Sequence, residues 1–167
     1  MAELTSQERL QPSLLDRLTD DEPGRDEESR ERRVISASRL RECVTRDLSW
    51  LLNCTHAEAD RSFEDAPQVA ASVLNYGIPD LAGISLGGID PATMERRIRE
   101  AVLAFEPRLV PETLRVRVRT DRQRMDRKSL VFDIESEMWA QPLPLNLYLK
   151  TEVDLETGRL QVTEALG

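Results

Sequence analysis

The stretch Asp90-Pro91-Ala92-Thr93-Met94-Glu95-Arg96-Arg97-Ile98-Arg99-Glu100-Ala101-Val102-Leu103-Ala104-Phe105 reads as one helix. Beyond Glu106-Pro107-Arg108-Leu109, the run Leu114-Arg115-Val116-Arg117-Val118-Arg119 reads as a strand, so the apolar period drops from 3.6 to 2 within a few residues. Asp90 is placed to cap the helix and Pro91 to open it, while Met94, Ile98, Val102 and Phe105 form its apolar stripe. Pro107 ends it. Downstream the period of 2 continues. Leu130, Phe132 and Ile134 alternate with Val131, Asp133 and Glu135; Leu145, Leu147 and Leu149 alternate with Asn146, Tyr148 and Lys150. A last strand over 159–163 follows the turn residues Glu156-Thr157-Gly158. Pairing Val118 with Phe132 sets Arg117 opposite Asp133 and Arg115 opposite Glu135, which accounts for the arginine comb without invoking nucleic acid.

Upstream, Leu40, Val44, Leu48 and Leu51 mark a helix over about 36–53, with Arg39, Arg41, Glu42, Arg46 and Asp47 on its other positions. Pro67 opens a second, short helix carrying Val69, Val73 and Leu74, which Gly77 and Pro79 stop. Leu81 to Ile89, with three glycines, reads as an ordered loop. Helices first and strands afterwards define an α+β class: about three helices packed on one face of an antiparallel meander of about four strands.

The chain has 167 residues, a one-domain length, and could bury about 70% of its extended surface. Residues 1–33 read as an acidic, largely flexible tail with clusters at 20–22 and 26–28, leaving 34–167 as a single domain. Within the tail, Pro12-Ser13-Leu14-Leu15-Asp16-Arg17-Leu18 places Leu14, Leu15 and Leu18 on one helical face, too short to fold alone. It either docks on its own domain or waits for a partner. A net charge of −8 argues against nucleic acid as the main partner, although Arg122, Arg124 and Arg127 leave local positive charge between 121 and 128. No run approaches the length of a membrane span and no signal-peptide pattern opens the chain, so a cytoplasmic protein without direct membrane insertion is expected. Cys43 and Cys54, with His56 nearby, lack a third metal ligand; Cys43 is expected buried on its helix and Cys54 incidental. No metal, cofactor or catalytic site is expected.

Two stretches look unlike generic packing: Ser72 to Leu81, and Phe105-Glu106-Pro107-Arg108-Leu109. Pro107 pushes Glu106 out of helical geometry, and in an extended segment Glu106 and Arg108 point the same way. The pair either presents two charges to a partner or satisfies itself at a turn. A glycoside hydrolase using Glu106 would need a second carboxylate, and no pattern singles one out.

These residues carry a resemblance. Residues 12–18, Arg46-Asp47-Leu48 with Leu51-Leu52-Asn53, Ser72 to Leu81, and Phe105 to Leu109 occur in the order seen in the TssE family, baseplate subunits of the type VI secretion system related to phage-tail wedge proteins. Cys54-Thr55-His56 departs from the family pattern. The resemblance implies a structural, non-enzymatic protein that contacts other baseplate wedge subunits and the first ring of contractile sheath, at a complex anchored to the inner membrane. It implies that Glu106, Pro107 and Arg108 form an assembly site, and that Leu14, Leu15 and Leu18 order on a baseplate partner. Sheath subunits exchange strands, so a free sheet edge would be a platform for them. The alternative is a protein-binding α+β module of another complex.

Overall fold

The computed structural model describes residues 13–19, 36–57, 63, 65–70, 72–83, 90–119, 129–139 and 144–165. The acidic clusters at 20–22 and 26–28, Pro12, the glycine-rich residues 84–89 and the arginine-rich loop 121–128 lie outside them.

Four α-helices, α1 (Leu14–Leu18), α2 (Ala37–Leu52), α3 (Pro67–Ala70) and α4 (Pro91–Phe105), precede strands β1 (Arg115–Arg119), β2 (Ser129–Met138), β3 (Leu145–Asp154) and β4 (Leu160–Glu164). The strands form one antiparallel sheet in the order β1-β2-β3-β4, the expected meander. Its register is also the expected one, with Val118 opposite Phe132, Arg117 opposite Asp133 and Arg115 opposite Glu135. The ion pair runs diagonally, however: Arg119, not Arg117, holds Asp133.

Both long helices start and stop where capping chemistry says they should. The Ser36 hydroxyl accepts from the Arg39 N–H at 3.1 Å, and the Asp90 carboxylate from the Thr93 N–H at 3.1 Å, with Pro91 supplying no orphan donor. Glu106, ahead of Pro107, leaves the helix at φ −122°, ψ 80°. The apolar faces of α2 and α4 meet the inner face of the sheet. Leu48, Leu51, Ile98 and Val102 join Phe132, Ile134, Leu147 and Leu149 in one core. Cys43 is buried on α2 and Cys54 is exposed, as anticipated.

The helix expected after Pro67 is corrected. It breaks into α3 and a separate 3-10 turn, Val73–Asn75, and Val73 and Leu74 are 79% and 69% exposed rather than core residues. The break lies at Ser72, whose extended backbone stops the helix and whose hydroxyl accepts from the Leu74 N–H at 3.2 Å. The rest of that stretch is anchored firmly. Ile78 forms a parallel bridge with Thr55, exchanging hydrogen bonds with Cys54 and His56.

Gly77 permits that bridge. Its φ is +128°, and a Cβ there would lie 2.4 Å from the Cys54 carbonyl oxygen. Gly83, at φ +73°, has open space around its Cβ position. Gly77→Ala is therefore expected to cost more than about 2 kcal/mol in urea unfolding, and Gly83→Ala only about 1 kcal/mol.

Candidate functional site

Pro107 sets the local geometry from which the site is built. The Glu106 side chain turns back onto Arg108: the guanidinium donates from Nε to Oε1 at 2.6 Å and from Nη2 to Oε2 at 2.5 Å, and the Arg108 N–H adds a third bond at 3.1 Å. Glu106 is only 4% exposed. The same Nη2 also donates to Asp47 Oδ2 at 2.6 Å, which ties the junction to the middle of α2. The other oxygen of Asp47 accepts from Arg46 Nε at 2.9 Å, and Arg46 Nη1 reaches Asp16 Oδ1 of α1 at 2.7 Å. Glu106, Arg108, Asp47, Arg46 and Asp16 thus form a ladder of alternating charges linking three chain segments.

Apolar groups surround the ladder. Trp50 stacks on the Arg46 guanidinium at 5.0 Å, and Tyr76 meets Phe105 edge to face at 5.2 Å. The Tyr76 hydroxyl donates to the Asp47 carbonyl at 3.5 Å. A cleft of about 500 Å³ opens here, lined by Leu15, Trp50, Tyr76, Phe105, Pro107 and Arg108 among others.

The leucines of α1 lie on the outside. Ser13 caps the helix, Asp16 is turned inward onto Arg46, and Leu14 and Leu18 are 70% and 74% exposed, with Leu15 at the cleft. The segment docks on its own domain through its polar side and keeps apolar groups in solvent.

Electrostatics reinforce this arrangement. Burial pushes the Asp16 carboxyl up, but hydrogen bonds from Arg46, Ser13 and Cys43 outweigh it and hold the group at about 2. Burial and then the neighbouring Asp16 push the Cys43 thiol up. For Arg108, burial works against the charge, and Glu106 and Asp47 overcome it to raise the guanidinium further.

Of the residues expected from sequence, Glu106, Pro107, Arg108 and Leu15 come together around one cleft, with Leu14 and Leu18 beside it on α1. Two outward-facing charges were one expectation for the junction; the structure instead spends Glu106 entirely on Arg108. Both Glu106 oxygens accept from Arg108, and Asp47 accepts from two arginines. Asp16, Arg46 and Asp47 escaped the sequence reading as site residues. The signals were their place in the two motifs, residues 12–18 and Arg46-Asp47-Leu48, that carry the family resemblance, and the adjacent opposite charges before a core leucine.

The site is thus a buried charge ladder beside exposed leucines and an apolar cleft. The family model for baseplate wedge protein gp25 matches residues 38–143, a span that holds both the Arg46-Asp47 and the Glu106-Arg108 parts of the ladder. The chain belongs to this baseplate wedge family of structural proteins, and the TssE resemblance falls within it, TssE being the type VI secretion homologue. No curated protein and no solved structure matches the chain.

Removing one member of the buried pair leaves the other charge stranded. Arg108→Ala is expected to cost about 3–5 kcal/mol in thermal or urea unfolding, and the double variant Glu106→Ala/Arg108→Ala markedly less. Asp16 supplies the opposite test. Its folded value lies below the ordinary 3.8, so its contribution to docking is complete above about pH 4 and is lost as pH falls through about 2. Trp50 fluorescence is therefore expected to stay constant between pH 8 and pH 5.

Proposed function

We propose that this protein is the TssE-type component of a type VI secretion baseplate, joining wedge subunits to the first ring of sheath and promoting sheath assembly. The observation that carries this reading is the composite surface of α1 and the Glu106-Pro107-Arg108 junction, within a chain of the baseplate wedge family. In this reading residues 34–167 are the baseplate domain and 1–33 a tail that brings in the α1 leucines. Wedge subunits cover Leu14, Leu15, Leu18 and the cleft, while the buried ladder holds that surface in shape. The protein acts as a scaffold, without catalysis or cofactor, recruited to an inner-membrane-anchored complex. No helix among the described residues is long and apolar enough to cross a membrane, in keeping with recruitment through partners.

The sheath would be engaged by β4. Hydrogen bonds from Asp154 N–H to the Arg159 carbonyl at 2.9 Å and from Ala165 N–H to the Tyr148 carbonyl at 2.8 Å set the phase of the ladder. Gln161 and Thr163 therefore point their backbone groups at β3, and Leu160, Val162 and Glu164 point theirs outward. Asn53 takes both groups of Leu160, donating to its carbonyl at 3.0 Å and accepting from its N–H at 3.0 Å. Among the described residues no hydrogen bond occupies the outward backbone groups of Val162 and Glu164, although the Glu164 side chain meets Arg41 at 3.7 Å. On the opposite edge, Glu95 accepts from the Val118 N–H at 2.8 Å and Arg99 donates to the Leu114 carbonyl at 3.3 Å, so α4 obstructs β1.

Two variants separate the surfaces. Leu14→Ser/Leu18→Ser, at exposed positions, should leave the melting temperature within a degree or two and abolish pull-down of the wedge subunits. Glu164→Pro should cut sheath polymerisation while wedge binding persists, with Glu164→Ala close to the parent in both. Normal wedge binding by the double serine variant would defeat the proposal.

A further inference from the structure

We infer that Asp47 is a positioning residue that couples the docking of α1 to the pose of Arg108, so that the two halves of the surface order together. The inference rests on the reading of α1 and the junction as one docking surface, and adds a regulation to it.

Each oxygen of Asp47 belongs to a different arginine: Oδ1 to Arg46 and Oδ2 to Arg108. Two guanidiniums converge on one carboxylate, and their mutual repulsion is tolerated because that carboxylate lies between them. Arg46 is also held from its far side by Asp16, whose second oxygen accepts from the Ser13 hydroxyl at 2.6 Å. When α1 docks, Asp16 takes a share of Arg46 and leaves Asp47 Oδ2 to Arg108. When α1 departs, Arg46 keeps the Trp50 ring and, as its one remaining carboxylate among the described residues, Asp47, for which it competes with Arg108. Of the other α1 side chains described, Leu14 and Leu18 face solvent and Leu15 reaches the cleft, while Cys43 adds a hydrogen bond to Asp16. The short helix therefore depends on charge contacts that continue, through Asp47, to a residue 61 positions from it along the chain. A partner that settles on the α1 leucines would fix Arg108, and a partner at the junction would fix α1, which is the reciprocity that linkage demands.

Hydrogen exchange on the full-length chain tests this at residues 14–18. Arg108→Gln and Asp47→Asn, neither of which removes a hydrogen bond or ion pair made by an α1 residue, should each accelerate exchange there by about 5- to 100-fold. Amides of β2 and β3 serve as the control for global unfolding. The reverse direction uses Asp16→Asn, at a position outside the hydrophobic core: the Arg108 Nε–H resonance should shift or lose protection. In an Asp16→Asn background, Arg108→Gln should add nothing further to α1 exchange. Unchanged α1 exchange in both ladder variants, or an unchanged Arg108 Nε–H signal in Asp16→Asn, overturns the coupling. These readouts need no partner, so they fail independently of the docking reading, which Leu14→Ser/Leu18→Ser tests by pull-down.

Discussion

A single guanidinium, that of Arg108, holds this structure's functional face together. It neutralises a glutamate that would otherwise be an isolated charge in the interior, and it binds the end of α4 to the middle of α2 through Asp47. Arginine suits that task because its planar fork meets Glu106 bidentately and still has an Nη2 proton for Asp47. Lysine could supply the charge but not the geometry. Through it the α4–β1 junction, the middle of α2 and the seat of α1 are joined in one chain of charges.

The packing of the sheet shows how a small domain keeps such a ladder rigid. α2 and α4 lie side by side on the inner face, so the carboxylate of Asp47 and the junction after α4 are brought together by core contacts between Leu48, Leu51, Ile98 and Val102. The backbone beyond Arg108 is pinned as well. Its carbonyl accepts from the Trp139 N–H at 2.7 Å, and the Val110 N–H donates to the Glu137 carbonyl at 2.8 Å, fastening the junction to the end of β2. A charge network on freely moving loops would gain little, because each ion pair would have to overcome its own ordering entropy.

Elements governed by local rules were legible in the sequence. Capping by Asp90, termination before Pro107, and the alternation of β1, β2 and β3 all appear in the expected places, down to the register that sets Arg117 opposite Asp133. Val73 and Leu74 misled, because two apolar residues at helical spacing cannot reveal that Ser72 will bond its own turn and turn them outward. The site was half legible. Glu106 and Arg108 announce themselves through the proline between them. Asp16, Arg46 and Asp47 do not, since on a periodic helix they occupy ordinary polar positions, and their contacts join residues 30 and 61 positions apart. Only the packing of the core decides which polar positions face one another.

The Asn53 amide at the start of β4 has a consequence for assembly beyond capping α2. By mimicking a neighbouring strand at Leu160, it blocks the first outward-facing position, so that in the proposed sheath contact a guest strand would meet only Val162 and Glu164. A guest strand that slid one residue along would turn its side chains to the wrong face, and one that slid two would run into the amide. Asn53 therefore behaves as a ruler stop. If copies of the proposed assembly are joined at this edge, a side chain that fixes the starting notch would set the pitch of everything built on top of it.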